Sequence, residues 1–365
     1  MLDISDSRET ETFKLGWRLV PEYDHYFSDP TKSTFSFSRA YGEITLKNIS
    51  TTLRFGRQTR NNGGVFGRFD GGLVTWTGQS GLTASVVFGQ PVNSSTDQLF
   101  SSGRLLAGAS VGFVDLQPGQ DMYAYAIKQT SDGFLDRQAV GIEGQFLNKN
   151  SSVFGLMDYD VYFGTINTAR LSGTKIFSDR SSITLTADYT HSPLLSSTNA
   201  LQGQIVTTLG ALNGTYTLAK IHQMALDRST ATSSLTAAYS KPLNDKWQFS
   251  VDGATFSTTG SPASGGVAAT AATGLEYYAS IQFVGADVFK EGDVVSLAAR
   301  LASTSTSQLV LLDGYRRFQF SPKLRVQHPS SIAGRSRSAM PVDARKSGQP
   351  IHLWNLPRQS QDRDC

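Results

Sequence analysis

Alternation with a period of two residues dominates this chain. In "ITLTADY", Ile183, Leu185, Ala187 and Tyr189 fall on one side, and Thr184, Thr186 and Asp188 on the other. "LEYYASIQFVG" sets Leu275, Tyr277, Ala279, Ile281 and Phe283 against Glu276, Tyr278, Ser280 and Gln282. "WQFSVDG" and "VVSLAARLA" behave alike, as do "TFSFSRAY", "EITLKN", "TLRFGRQ", "LLAGASVGF", "VGIEGQF" and "DYDVYF". This period belongs to β-strands, whose successive side chains point to opposite faces. About 14–16 such segments are readable, many roughly 8–12 residues long. Strands of soluble sandwiches run nearer ~5–6 residues, whereas a tilted strand needs ~9–11 to cross a bilayer. The connections are unequal. "SDRSS", "NKNSS", "KPLNDK" and "KEGD" are short and polar, and "STTGSPASGGVAATAATG" is long and rich in small residues. Short turns alternating with long loops are expected of an outer-membrane barrel.

Two regions depart from the pattern. From Asn199 to Asp227 the apolar spacing becomes helical, with Leu201, Ile205, Leu209 and Leu212 followed by Leu218, Ile221 and Leu226. Asn213-Gly214 reads as a break between two short helices. The competing reading makes "QIVTTLG" and "GTYTLAKI" two more strands. After Val326 the alternation stops, and the remaining segment is rich in Pro and basic residues. Such a segment buries too little apolar surface to offset its ordering entropy.

The pattern predicts an all-β protein, an antiparallel up-and-down transmembrane β-barrel of about 14–16 strands, closed, incomplete or open. It carries a short helical insert near 200–227 and a disordered basic tail at 327–365. The barrel domain spans 31–326, preceded at 1–30 by a poorly ordered segment or partial strands.

Composition narrows the class. Of 365 residues, 39% are hydrophobic and 17% charged, which is low on both counts and suits a sheet with one wet face. The net charge of +3 is too small to argue for nucleic acid. It is also uneven: ten Lys and Arg follow Tyr315 against Asp343, Asp362 and Asp364, leaving the body slightly acidic. The one cysteine, Cys365, permits no intramolecular disulfide and no cysteine metal site. No apolar run is long enough for a transmembrane helix, and no signal peptide is visible at the start.

Candidate chemistry is sparse. "GASVG" fits G-x-S-x-G with Ser110, but alternation runs straight through it, where a nucleophile elbow needs a strand, a sharp turn and a helix. "SGTK" pairs Ser172 with Lys175 without the partner motifs of a serine acylase. The histidines have no metal-binding spacing. Asp158 and Asp160 share a strand face ~7 Å apart. Two carboxylates at that distance suit glycoside hydrolysis, or they solvate the wall of a polar lumen. No cofactor is expected. "LRFGRQTRNNGGVFGRFDGG", Leu53 to Gly72, lacks the G-K-[ST] of a phosphate-binding loop. It reads as a hairpin, with "NNGG" as its loop and glycine supplying positive φ. Leu53, Phe55, Val65, Phe66 and Phe69 then belong to the wall, and Arg54, Arg57, Arg60 and Arg68 are lumen or rim charges. Arg54 and Arg57 lie three apart and point to opposite faces unless Gly56 bulges. Tyr41, Trp76, Tyr125, Tyr189, Tyr239, Trp247 and Tyr277 are candidates for interfacial girdles.

The stretch "RFGRQTRNNGGVFGRFDG" resembles the strand–loop–strand of Gram-negative porins, where G-R-Q follows an alternating strand. "HSPLLSSTNALQGQ", "ALDRSTATSS", "SKPLNDKW", "SGGVAATAATGLEYYASIQFVGADVFKEGD" and "DGYRRFQFSPKLRV" are similar to large proteobacterial outer-membrane proteins whose C-terminal barrel follows periplasmic tetratricopeptide repeats. The resemblance spans roughly Thr31 to Val326. It implies a non-enzymatic barrel in the cell outer membrane, acting as a pore or as an anchor for envelope assembly or polysaccharide export. The implied partners are the lipid bilayer and periplasmic export or assembly proteins or polysaccharide, with no nucleic acid. The chain lacks the repeats, the export signal and a closing strand ending on an aromatic residue, as a truncated or frame-shifted fragment would. The alternatives are a secreted or surface β-rich adhesin, which predicts an internal repeat that is not found, and an outer-membrane hydrolase.

Overall fold

The structure is a computed structural model that describes residues 2–25, 33–92, 94, 96–100, 103–321 and 324–337. The first strands are β1 (Ile4–Glu9), β2 (Phe13–Asp24), β3 (Thr34–Leu46), β4 (Thr51–Arg60), β5 (Gly67–Thr77) and β6 (Leu82–Val92). Next come β7 (Arg104–Phe113), β8 (Gln120–Ser131), β9 (Phe134–Asn148), β10 (Ser151–Asp160), β11 (Thr165–Ile176) and β12 (Ser182–Ser192). A helical segment intervenes, with a 3-10 turn at Ser197–Leu201, α1 (Leu209–Asn213) and α2 (Leu218–Asp227). The last six strands are β13 (Thr230–Pro242), β14 (Trp247–Thr258), β15 (Glu276–Ala286), β16 (Val294–Ser303), β17 (Ser307–Ser321) and β18 (Leu324–Arg337).

All eighteen strands belong to one antiparallel up-and-down sheet. That is more than the 14–16 expected, because the N-terminal 1–30 contributes β1 and β2, and β18 continues past Val326. Its residues pair with β17 as far as Ser307↔Arg337, so backbone pairing outlasts the side-chain alternation by which the strand was read. The tail from 338 onward lies outside the described residues. By its contacts the chain divides into two compact units. One comprises Met1–Ile176, Thr184–Leu235 and Thr258–Ala272, and the other Phe177–Ile183, Thr236–Ser257 and the chain from Thr273 onward.

Turn chemistry stops the strands where the pattern breaks. Asn244 Oδ1 accepts the Lys246 and Trp247 amides between β13 and β14, each at 2.9 Å. Asp293 Oδ1 accepts the Val288 amide at 2.8 Å, and Asp287 Oδ1 the Gly292 amide at 2.6 Å, closing the turn between β15 and β16. Every second connection is short, as at 47–50, 78–81, 149–150 and 243–246. Those between them include the long 93–103, 193–229 and 259–275, although 132–133 and 161–164 are tight as well.

The sheet's two faces differ in chemistry. In the first unit Phe55, Phe88, Leu105, Val111, Ile142 and Leu171 are exposed on one face. Glu43, Arg54, Ser85, Ser110, Glu143 and Asp158 follow the opposite parity along the register. In the second unit Ile281, Phe283, Leu297 and Leu312 are exposed. The other parity there is polar, with Ser280 Oγ donating to Asp252 Oδ1 at 2.5 Å and Gln282 Nε2 to Ser296 Oγ at 3.0 Å.

Two apolar clusters are buried, both in the first unit. One forms within the helical segment, where Leu209, Leu212, Ile221, Met224 and Ala225 pack with Leu195 and Phe163. Thr208 and Thr217 cap α1 and α2 by accepting the Ala211 and Lys220 amides. The helical spacing at 209–226 is thus the correct reading, and no strand forms at 202–229. Ile205 is off the stripe and fully exposed. The second cluster, Val65, Phe69, Val87, Leu106, Ile127 and Ala139, lies on the polar face itself. A dry cluster there needs a cover, and the chain supplies one.

Candidate functional site

The connection between β4 and β5, residues 61–66, folds back across the polar face of the sheet. Four wall strands hold it. Arg60, the last residue of β4, donates from Nη2 to Ser85 Oγ on β6 at 3.0 Å and to Ser110 Oγ on β7 at 3.4 Å. Its Nε donates to Asn62 Oδ1 at 2.6 Å, tying the loop to its own stem. The Gly63 amide donates to Glu143 Oε1 on β9 at 3.0 Å. The Gly64 carbonyl accepts from Arg137 Nη1 at 2.9 Å, and Val65 is 3% exposed in the cluster beneath. Gly63 and Gly64 adopt φ of 60° and 76°, the left-handed region that favours glycine. A Cβ at Gly64 would also lie 2.7 Å from the Tyr125 ring. "NNGG" therefore combines a reversal with close approach to the wall.

Beneath the loop sits a buried polar network. Asp158 and Asp160 share a face of β10, as their spacing predicts, and both are 0% exposed. Arg137 Nη2 donates to Asp158 Oδ2 at 2.6 Å, and Arg137 Nε stands 3.8 Å from Asp160 Oδ2. Tyr125 Oη also donates to Asp158 Oδ2, at 2.8 Å. Asp160 Oδ1 accepts the Tyr162 and Phe163 amides at 2.9 and 3.0 Å, turning the chain into β11. Tyr125 reaches Asp158 by crossing Gly141, its register partner on β9. A Cβ at Gly141 would collide with the Tyr125 ring and stand 2.6 Å from the Met157 carbonyl oxygen. The Arg137 guanidinium also lies 5.3 Å from the Phe66 ring centroid.

The four candidate arginines divide two and two. Arg54 lies on the polar face, with Nε donating to Glu43 Oε2 at 2.7 Å and its guanidinium 4.7 Å from the Tyr41 ring centroid. Arg60 lies there too. Both line a cavity of about 330 Å³ with Glu143, Tyr123, Ser85 and Ser110. Arg57 does not follow Arg54 inward. The register runs unbroken through Gly56, from Tyr41↔Gly56 to Ala40↔Arg57, so Gly56 makes no bulge and Arg57 keeps the parity of Phe55. Arg57 is buried instead in a two-pronged pair with Asp70, at 2.7 and 2.8 Å, and donates to the Gln98 carbonyl at 3.2 Å. Asp70 Oδ2 also accepts the Phe100 amide at 3.0 Å, so this pair pins the connection between β6 and β7. Arg68 shares the parity of Asp70 and Gly72 and is half-buried.

Other expectations also shift. Val65 and Phe66 belong to the loop rather than a strand, and Phe69 is buried under it. Tyr125 is a buried member of the network and Tyr41 a polar-face partner of Arg54, whereas Trp76 and Tyr277 are exposed. Ser110 lies within β7, its Oγ 2.6 Å from Ser85 Oγ, and Ser172 lies within β11, 3.1 Å from Thr186 Oγ1. Among the described residues neither has a histidine or carboxylate hydrogen-bonded to it. Arg137 and Glu143 were not singled out from sequence, and Tyr125 only as a girdle candidate. The signal for two of them is the alternate series Arg137, Ala139, Gly141, Glu143, in which small residues make room between charges.

What the described residues define is an up-and-down antiparallel sheet with an apolar face, and a polar face crossed by one of its own loops. No family model matches the chain, and no curated protein matches it. Among solved structures it is similar to the anion-selective porin from Comamonas acidovorans, at 11% identity over 77% of this chain and 87% of that one, with a TM-score of 0.39. It is also similar to the outer membrane protein OpdK from Pseudomonas aeruginosa, at 11% identity over 90% and 91%, TM-score 0.42. A third is OccAB4 from Acinetobacter baumannii, at 9% identity over 92% and 91%, TM-score 0.41. Likeness at this level transfers neither residue roles nor a substrate.

Proposed function

We propose that this chain is a non-enzymatic β-barrel of the Gram-negative outer membrane, and that it acts as a pore narrowed by the loop at 61–66. One observation carries the reading. Strands of 10–15 residues from β2 to β18 expose large apolar side chains at alternate positions while their other face is polar and ion-paired. A soluble sheet buries its apolar face, whereas a spanning sheet turns that face to lipid. In hydrocarbon every backbone amide needs an internal partner, so the reading requires the sheet to close on itself. The short alternate turns would then face the periplasm and the long connections the exterior. The polar face would line the pore, where Arg54, Arg60 and Glu143 set what passes by charge and size. Asp158 and Asp160 are engaged by Arg137 and by backbone amides, which favours a structural role over hydrolysis. A role as anchor for envelope assembly or polysaccharide export rests on the resemblance to tetratricopeptide-associated barrels, and belongs to the same placement.

The test is refolding of the full chain into detergent and then into a planar lipid bilayer. A gel mobility that shifts on boiling, together with discrete conductance steps, is the expected result. A chain that stays in solution without detergent and unfolds cooperatively there would sink the reading.

A further inference from the structure

The apolar face carries one feature that a featureless lipid wall does not need. The register places Phe55, Gly72, Phe88, Ala107 and Lys128 side by side across β4 to β8. Gly72 has no Cβ, and the Phe88 ring occupies the space one would take, 2.5 Å from the ideal position. Phe88 thereby leans toward β5 and leaves Ala107 as the floor of a groove of about 420 Å³. Phe100, from the connection between β6 and β7, stacks on Phe55 with ring centroids 5.5 Å apart and bounds one side. Leu105, 59% exposed, lines the groove as well.

The charges around this groove are one-sided. Asp70 reaches it, but its carboxylate is taken up by Arg57 and by the Phe100 amide. Lys128 is exposed and has no acidic partner among the described residues. It stands three residues before the end of β8 at Ser131, about 10 Å along the strand. A lysine on the lipid face is costly at mid-bilayer and tolerated close to the interface, where its ammonium snorkels to the headgroups. Its register partner Gln138 and the nearby Thr130 add polar groups at that level.

An apolar trough ending at an unpaired cation has the chemistry of an anionic acyl lipid. We propose that this groove binds one acyl chain of an anionic phosphorylated membrane lipid, with the Lys128 ammonium on the phosphate. The inference rests on the outer-membrane reading and takes the lipid from the leaflet at the end of the sheet that bears the long connections.

The experiment is native mass spectrometry of the full chain released from detergent micelles, with phosphatidylglycerol or phosphatidylcholine of identical acyl chains added. Wild type should retain one phosphatidylglycerol in preference to phosphatidylcholine. Lys128→Gln should weaken that retention by about tenfold, the worth of one charge-assisted hydrogen bond. Ala107→Phe, which fills the floor, should abolish retention of either lipid while the boiling-dependent gel shift persists. The outer-membrane reading is judged separately, by that gel shift and by conductance. A chain that passes both, yet retains the two lipids equally or is unchanged by Lys128→Gln, overturns the lipid site and leaves the pore standing.

Discussion

Arg137 is the residue whose loss should cost most, and its neighbours set the size of the effect. It is 4% exposed and serves Asp158 and Asp160, both 0% exposed, as well as the Gly64 carbonyl. Replacing it by alanine leaves two carboxylates buried with no cation and strips the inward loop of a hydrogen bond. Breaking one side of a buried pair costs about 3–5 kcal/mol, most of it the burden of the stranded charge. Arg54 is the internal comparison. It pairs with Glu43 at similar distance, but the two side chains are 30% and 27% exposed. Water screens such a pair, and its loss should cost no more than about 1 kcal/mol. The assay is urea unfolding of the chain refolded in lipid vesicles, followed by the fluorescence of its 4 tryptophans. With a slope of about 3 kcal/mol per molar, Arg137→Ala should lower the midpoint by roughly 1 M or more, and Arg54→Ala by a small fraction of that. Arg137→Met combined with Asp158→Leu should recover much of the loss, because an apolar pair leaves less charge stranded. Equal midpoints for Arg137→Ala and Arg54→Ala would refute the argument that burial sets the magnitude. If Arg137→Ala fails to refold, Arg137→Lys, which keeps the charge and loses the fork, should fall between it and wild type.

Three further outcomes are expected. Gly141→Ala drives a methyl into the Tyr125 ring and should destabilise by about 1–3 kcal/mol in the same titration, and Tyr125→Phe, which drops only the bond to Asp158, should cost about 1.5 kcal/mol; a Gly141→Ala midpoint equal to wild type would argue against the close approach. Arg228 is buried where α2 ends and donates to the carbonyls of Ala200, Ser264 and Gly265, so Arg228→Ala should speed protease cleavage in the exposed stretch around Ile205 while leaving the strands' circular dichroism unchanged. In the turn between β11 and β12, the Ser181 hydroxyl and amide hold the Asp179 carboxyl below its usual range. A lowered folded value means that its small contribution is present above the unfolded pKa near ~3.9 and lost as pH falls through the folded one, so Asp179→Asn should flatten the stability profile only at the acid end.

The sequence makes the sheet legible because its signal is local. "ITLTADY" and "LEYYASIQFVG" declare two faces without reference to anything distant, and the helical spacing at 209–226 does the same. What stays hidden is long-range. Gly63 and Gly64 announce a reversal, but nothing nearby tells that Glu143 and Arg137, more than seventy residues on, draw the loop onto the wall. Arg57 misleads for the opposite reason: strand parity is a strict local rule, and only the partner Asp70 and the contacts with Gln98 and Phe100 explain a buried arginine on an apolar face. Asp158 and Asp160 were found as a pair by spacing, yet their role depends on Arg137, a strand away.

The pairing of charges around the loop changes what the arginines are expected to do. Arg54 and Arg60 alone would make the polar face attract anions, which is how the opening "LRFGRQTR" reads in isolation. In the folded chain each faces an acid: Arg54 is bound to Glu43 on the neighbouring strand, and Arg60 feels Glu143 across the cavity that both arginines line, where the Glu143 carboxylate holds the loop amide at Gly63. Two positive and two negative groups leave no net charge at this level, but a separation of charge between strands. In the proposed pore an ion crossing such a site would gain on one side what it loses on the other, so size and dipole would weigh more than sign. The consequence is measurable as a reversal potential across a potassium chloride gradient in a planar bilayer. Glu143→Gln unmasks Arg60 and should move the potential toward anion preference, and Arg60→Gln should move it toward cations by a comparable amount. A shift of the same sign from both variants would mean that the two side chains share no cavity in the conducting protein, and the loop at 61–66 would not be the constriction.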